Sequence, residues 1–513
     1  MKNTNNTVEI FQNEVFNVTH ININDNVNFI LNVDSYKTGH GFMMKEGVVA
    51  LESNIIARKP SKYATHVVMA GLQYYIQKYL NITITTEDID EAELETDQRG
   101  DDFDRGFWEH IVEVHGGKIP VHIRAVPEGT LVPVGCPLVR SFSTDPRVCV
   151  IASYIETQLQ RAVWFPTTVA SNARSIKEFL ADTMERHAGH RFVDYHLHNF
   201  GDRGASSFES AILAGMSHAM IFNGSDCLSA NRYIKQYFHT TKAYLSSVTA
   251  SEHSATCSNS DADRRDDFNM ALKMVRLWEK KVDKYLTNGS VGAPPIVSVV
   301  IDTYDAYRFV REFIGTRLKA TIEEIGKRCP GAKLVMRPDS GDPTTMPIEI
   351  IEILMEKFGS TVNSKGYKVL PPFIGVIQGD GINEDSIREI VGNLETKKLS
   401  LENLVFGMGG KLVHPEKGRD TYSFAMKGSA QQLEDGTWED LFKDPITDVG
   451  KRSLRGRVTT YECTNTHKII AERIELQKVN PFLQDMMVDM YINGEIMNLS
   501  NFDEVRERAN KGL

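Results

Sequence analysis

From about residue 192 to 412 the chain alternates short apolar runs, polar or glycine-rich loops, and stretches whose apolar positions recur at helical spacing. A strand is predicted over 193–197, followed by His198-Asn199-Phe200-Gly201-Asp202-Arg203-Gly204. Ser206 and Ser207 are candidate N-caps for a helix through Met216. A second strand over 219–222 leads into Asn223-Gly224-Ser225-Asp226. A third over 296–301 runs into Asp302-Thr303-Tyr304-Asp305, and the next helix carries Phe309, Val310, Phe313, Ile314 and Leu318. A fourth over 333–336 ends in Arg337-Pro338-Asp339-Ser340-Gly341, before a helix with Gly359 as its C-cap. Strands over 373–377 and 404–406 end in Gln378-Gly379-Asp380-Gly381 and Gly407-Met408-Gly409-Gly410.

Such alternation predicts an α/β fold with a parallel sheet. Its polar residues fall just after the strands, the ligand-binding edge of a closed β/α-barrel and of a doubly wound open sheet alike. The flanks mix strands and helices, including a long helical stretch after Thr168. Residues 486–497 read as a hairpin around Asn493-Gly494, and Ser500 with Asp503 as the cap of a last helix. The expected organisation is an extension over 1–26 with no function assigned, a β/α-barrel over 186–424, and an accessory α+β domain from 27–185 and 425–513.

Composition narrows the function. The formal net charge is −10, so the chain lacks the broad basic face of a nucleic-acid or membrane-surface binder, and phosphate binding requires local clusters of Lys and Arg. Six scattered cysteines without a C-x-x-C pair suggest neither a zinc site nor a disulfide framework, and fit a reducing cytoplasm. Residues 1–16 lack a signal-peptide core, and no apolar run approaches the roughly 20 residues of a membrane span. The P-loop, the G-x-G-x-x-G fingerprint and the H-E-x-x-H helix are all missing, which disfavours the commonest ATPases, dehydrogenases and metalloproteases.

Two consecutive glycine-rich strand ends, at Gly379-Asp380-Gly381 and Gly409-Gly410, suit phosphate, because glycines let backbone N–H groups approach an anion. Each alone could be a tight turn. Arg203, Asp226, Asp302, Arg337, Asp339 and Asp380 would converge on the same edge. Guanidinium groups suit phosphate or carboxylate, and the carboxylates suit Mg²⁺, ribose hydroxyls or a developing cation. Singly, each could be a cap or an ion-pair partner. Glu252-His253 on its own says little, since strand neighbours point to opposite faces.

Asp34-Ser35-Tyr36-Lys37, Gly71-Leu72-Gln73-Tyr74, Val126-Pro127-Glu128-Gly129, Arg337-Pro338-Asp339-Ser340-Gly341, Asn363-Ser364-Lys365-Gly366-Tyr367-Lys368, Gln378-Gly379-Asp380-Gly381, Phe442-Lys443-Asp444-Pro445 and Lys451-Arg452-Ser453 carry a resemblance. Together they resemble the nicotinate/nicotinamide phosphoribosyltransferase family, in order from about Asn28 to the C-terminus. The resemblance implies a type II phosphoribosyltransferase fold: an irregular β/α-barrel beside an accessory domain, in a homodimer with active sites at the interface. It implies transfer of phosphoribosyl from its pyrophosphate to nicotinamide, with Mg²⁺ as cofactor and ATP as a coupled substrate.

By similarity, Phe200 and the partner's Tyr36 would sandwich the pyridine ring, with Arg337 and Arg203 beside it and Asp226 accepting from the carboxamide. Asp339 and Arg337 would face the ribose. Gly379, Asp380, Gly409 and Gly410 would hold the 5-phosphate, and Arg58, Arg419, Ser423, Lys427 and Lys443 phosphates from across the dimer. His253, aided by Glu252, matches a histidine phosphorylated by ATP, and Asp34, His198, Ser247 and Asp302 match further site positions. The chain departs from the family pattern at Asn199, Asp202 and Lys411. The competing expectations are a nicotinate-specific relative, a non-catalytic binding protein on the same scaffold, and an unrelated aldolase-type barrel.

Overall fold

The computed structural model describes residues 27–447 and 451–513, so the extension over 1–26 lies outside the described residues. Seven parallel strands form the central sheet, in the order Gly224–Ser225, Leu197–Asn199, Leu404–Met408, Ile374–Gln378, Lys333–Arg337, Ile296–Val300, Thr249–Ala250. The edges meet: Ser246, just before Thr249–Ala250, bridges in parallel to Gly224. Ser225 N donates to Ser246 O at 3.0 Å and Ser246 N to Asn223 O at 2.9 Å. The sheet therefore curls on itself, and every strand's C-terminal end lies at one mouth. Of the two expected arrangements, this is the barrel.

The longer barrel strands, Ile296–Val300, Lys333–Arg337, Ile374–Gln378 and Leu404–Met408, are mostly apolar because helices cover them outside. Two elements differ from expectation. The first strand is Leu197–Asn199 rather than 193–197. Residues 219–222 are no strand: Ala219 ends the helix Phe208–Ala219, Met220 to Phe222 follow it buried, and the strand is Gly224–Ser225. Four apolar residues in a row fit a buried helix end as well as a strand. Ser207 does cap that helix, in a reciprocal pair with Ser210.

A second sheet, antiparallel, takes strands from both flanks. Its order is Trp438–Asp440, Ala425–Leu433, Val48–Ile56, Pro137–Ser143, Val121–Ala125, Val488–Ile492, Glu495–Ile496. The last two form the expected hairpin, with positive φ at Asn493 and Gly494. The final helix, Phe502–Asn510, is capped by Asn501, which accepts from Glu504 N at 3.0 Å, and not by Ser500. Ser500 Oγ instead accepts from Arg508, and Asp503 pairs with Lys242. This helix buries Phe502, Val505 and Ala509 in the barrel's core. Among the described residues, no helix is long and apolar enough to cross a membrane.

Within the accessory domain, Glu128 caps the start of a short helix from the side. This buried carboxylate accepts from Gln73 N at 2.7 Å, at the start of the helix Leu72–Tyr75. Its second oxygen has no hydrogen-bond partner. Burial pushes the carboxyl up to about 7 from 4.5, against the lowering effect of its backbone hydrogen bonds. A raised carboxyl pKa means that the folded state holds a proton the unfolded state releases between about pH 4.5 and 7. Its contribution to stability is full at acid pH and is lost as pH rises through 7. Glu128→Gln keeps an acceptor for Gln73 and should flatten this slope in thermal unfolding between pH 5 and 8. A variant with the wild-type slope would remove Glu128 from that role.

Candidate active site at the barrel mouth

The floor of the mouth is the ring of Phe200, directly after the strand Leu197–Asn199. Its backbone N donates to Met408 O at 2.9 Å, and Asn199 Oδ1 accepts from Gly201 N at 2.8 Å, fixing the turn. The ring lies over Gly407, where an added Cβ would stand 2.1 Å from Phe200 Cε2, and against Gly379 at 3.2 Å. Two adjacent strands thus carry glycine where the ring needs room. His198 stands behind it, ring centroids 6.1 Å apart, with burial holding its imidazole below the ordinary pKa and so neutral.

Three neighbouring strand ends bring together His253, Asp302 and Asp339. His253 Nε2 lies 3.5 Å from Asp339 Oδ2 and 3.7 Å from Asp302 Oδ1. His253 Nδ1 and Thr303 Oγ1 are 3.1 Å apart. Asp302 Oδ2 accepts from Asp339 N at 2.9 Å and from the Ser340 hydroxyl, which ties two loops together. Asp302 Oδ1 is buried with no hydrogen-bond partner, in a side chain only 4% exposed. A buried anionic oxygen in that state is costly unless a cation or donor meets it. Arg337 Nη2 donates to Ser251 O at 2.7 Å, while its buried Nε has no partner. Glu252 supplies the N-cap position of the short helix His253–Ser258 through its backbone, and its side chain makes no cap bond. Thr303, not singled out in the sequence, is the hydrogen-bond partner of His253; its only signal was its place beside Asp302.

At the seam where the sheet closes, Asp226 Oδ1 accepts from Ser247 Oγ, and Asp226 N donates to Asn199 O at 3.0 Å. Asp226 is exposed at the mouth, as are Arg203, Asp380 and Gly410. Gly409 precedes the single helical turn Gly410–Val413, and the strand carrying it adjoins the one carrying Gly379 and Asp380. The mouth therefore has a glycine-rich side and, around the ring from it, a carboxylate side.

The remaining predicted residues lie elsewhere in the chain. Arg58, Lys427 and Lys443 line a pocket on the accessory sheet with Lys451, Arg452 and Ser453, and no barrel-mouth residue lines it. Arg58 Nε donates to Ser423 O at 2.9 Å. Lys427 Nζ lies 3.0 Å from Glu156 Oε1, whose other oxygen meets Lys37. Arg419 is exposed in the turn Gly418–Thr421. Tyr36 is exposed and its ring meets His40, centroids 4.9 Å apart, while Asp34 accepts from Thr157 Oγ1 at 2.6 Å.

An aromatic floor, a glycine-rich edge and a carboxylate–imidazole cluster around one mouth can hold a flat heterocycle, an anion and a developing cation in register. Residues 195–478 match the model of the nicotinate phosphoribosyltransferase (NAPRTase) family, and residues 28–123 that of the nicotinamide phosphoribosyltransferase N-terminal domain. A nicotinamide phosphoribosyltransferase of Xanthomonas campestris pv. campestris is 37% identical over 94% of this chain and 98% of its own length. One from Acinetobacter baylyi is 30% identical over 94% and 97%. The fold resembles a nicotinate-nucleotide pyrophosphorylase from Pyrococcus furiosus, at TM-score 0.56 and 15% identity over 97% of each chain. It also resembles human nicotinic acid phosphoribosyltransferase, at TM-score 0.51 and 16% identity over 93% and 92%. With its type II phosphoribosyltransferase fold, the chain belongs to the nicotinate phosphoribosyltransferase family of enzymes.

Proposed function

We propose that this enzyme transfers the phosphoribosyl group of 5-phosphoribosyl 1-pyrophosphate to nicotinamide, giving nicotinamide mononucleotide and pyrophosphate in NAD salvage. The observation that carries this reading is the Asp226 carboxylate, held by Ser247 beside the Phe200 ring. A carboxylate there accepts a hydrogen bond from a carboxamide NH₂ and repels the carboxylate of nicotinate. The two relatives named as nicotinamide phosphoribosyltransferases support the same choice.

The pyridine nitrogen attacks the anomeric carbon as the bond to pyrophosphate breaks, through a state with oxocarbenium character. Asp339 stabilises the positive charge on the ribose. Arg337, with an Nε free to donate, binds beside the ribose and carboxamide, and Arg203, exposed at the same mouth, stands beside the pyridine. Gly379, Asp380, Gly409 and Gly410 hold the 5-phosphate. The residues fit Mg²⁺, a cation that takes oxygen ligands: Asp302 Oδ1 is a buried oxygen without a hydrogen-bond partner, and Asp339 stands on the adjoining strand end. Bound there, Mg²⁺ supplies charge neutralisation for the departing pyrophosphate.

In a homodimer, Tyr36 and the pocket of Arg58, Lys427 and Lys443 complete the partner's mouth, together with Arg419 and Ser423. His253 takes the terminal phosphoryl group of ATP, releasing ADP, and later gives it to water, which couples ATP hydrolysis to substrate binding. With Nδ1 engaged by Thr303, Nε2 is the nitrogen facing the mouth. Glu252 and Asp302 orient this histidine.

A product assay with phosphoribosyl pyrophosphate and Mg²⁺, offering nicotinamide or nicotinate with and without ATP, tests the reading. Mononucleotide from nicotinamide, increased by ATP, is the expected result; product mainly from nicotinate would overturn the role of Asp226. Asp226→Asn should lower the amide-to-acid ratio of kcat/KM by about 10- to 100-fold, the worth of one charged hydrogen bond. An unchanged ratio would exclude Asp226 as the selector. His253→Ala should lose ATP stimulation while retaining slow transfer, and a variant still fully stimulated by ATP would sink the phosphohistidine.

A further inference from the structure

On the accessory domain, the helix Arg105–His115 brings two imidazoles to one carboxylate. His110 Nε2 lies 2.9 Å and His115 Nε2 2.7 Å from the same atom, Asp145 Oδ2. The other oxygen, Oδ1, accepts from Arg147 N at 2.8 Å and caps the turn Pro146–Val148. One oxygen is thus committed to the backbone, which fixes the carboxylate, while the other faces both rings. The rings meet edge-on at 70° with centroids 5.9 Å apart, and the three donor atoms lie within 4.8 Å of one another. The side chains are 26%, 20% and 14% exposed, so solvent reaches the cluster without flooding it.

We propose that His110, His115 and Asp145 bind one divalent transition-metal ion of the Zn²⁺ class. Two imidazole nitrogens and one carboxylate oxygen form a common donor set for such ions, whereas Mg²⁺ and Ca²⁺ favour oxygen throughout. Tetrahedral bonds of about 2.0–2.1 Å put neighbouring donors roughly 3.3 Å apart. The donors observed here need to open by about half an ångström, which side-chain torsions supply. Without a metal, both Nε2 atoms must carry protons to donate to Oδ2. Metal binding displaces those protons and replaces two hydrogen bonds with three coordinate bonds, leaving water as the remaining ligand. The ion would pin the end of this helix to the turn that follows the strand Pro137–Ser143, a role independent of the reaction at the barrel.

The test uses chelator-treated full-length protein titrated with Zn²⁺ by calorimetry and with Co²⁺ by visible absorption. Wild type should bind one equivalent that His115→Gln and Asp145→Asn bind about tenfold or more weakly. Asparagine preserves the capping acceptor, so Asp145→Asn decides the matter even where His115→Gln fails to fold. Zn²⁺ should raise the unfolding midpoint of wild type and not that of the variants, and His253→Ala should keep the equivalent, which separates this site from the barrel mouth. Metal-free transferase activity should be unchanged in His115→Gln. Absence of Zn²⁺ binding by wild type, or equal stoichiometry and affinity in wild type and Asp145→Asn, would overturn the proposal.

Discussion

The helix Glu156–Ala188 is buried in both domains. Leu159 and Val163 belong to the accessory core, while Val169, Ile176, Leu180 and Met184 belong to the barrel core. Several of its polar side chains bond to both domains. Ser171 Oγ accepts from Val68 N at 2.8 Å and Thr167 Oγ1 from Ala70 N at 3.1 Å, and Arg174 Nη1 donates to Ala509 O at 2.6 Å. Pro166, inside this helix, leaves Ala162 O without its usual i+4 donor. Gly71 packs at that point, where a Cβ would stand 2.1 Å from Ala162 O and 2.7 Å from Pro166 Cγ. The two domains therefore share one rigid element, and a shift of either along it would break contacts in both cores. That constraint fixes the accessory sheet, with its basic pocket, relative to the barrel.

The alternation of strands and helices was legible because parallel strands covered on both faces are short continuous apolar runs. Boundaries were less so: the polar strand ends Arg337, Gln378 and Asn199 look like loop in the sequence but remain in the ladder. Residues 219–222 failed for the opposite reason, being apolar all round at a buried helix end. Of the mouth, Gly379, Gly409, Asp302 and Asp339 were legible as strand-end residues. Tyr36, Arg58, Lys427 and Lys443 came only through family resemblance, since they lie away from the barrel mouth and nothing local marks them. Thr303 beside His253, and the meeting of His110 and His115 with Asp145, depend on chain separations of 50, 35 and 30 residues and have no local pattern at all.

Strand order gives the mouth its polarity. The strands ending at Gly379 and Gly409 are neighbours, so the two glycine-rich ends lie side by side at the mouth. The strands ending near Asp302 and Asp339 are neighbours too, so their carboxylates share one side. The Ser246–Gly224 bridge then sets Asp226 and Ser247 at the closing seam, next to Phe200. On the proposed reading, phosphate, ribose and base take successive sectors of one ring, and the orientation of the substrate follows from the order in which the strands pair.

On the proposed reading, the chain's acidity explains why the cations that meet phosphate are gathered on a different surface. At a net charge of −10, and with Asp226, Asp302, Asp339 and Asp380 already around the mouth, lysines placed there would pair with the carboxylates and neutralise the groups the reaction needs. Lys427 of the accessory sheet and Lys37 in the turn Ser35–Lys37 share one carboxylate, Glu156, in the first turn of the long helix. Two cations held by one anion leave a net positive charge, and the helix N-terminus, which favours the carboxylate, keeps that anion in place. Arg58 adds to the charge while its Nε is used on a backbone carbonyl, which orients the guanidinium without cancelling it. A pocket built this way stays cationic within an acidic molecule; in the proposed homodimer it faces a mouth whose own carboxylates would otherwise repel a pyrophosphate.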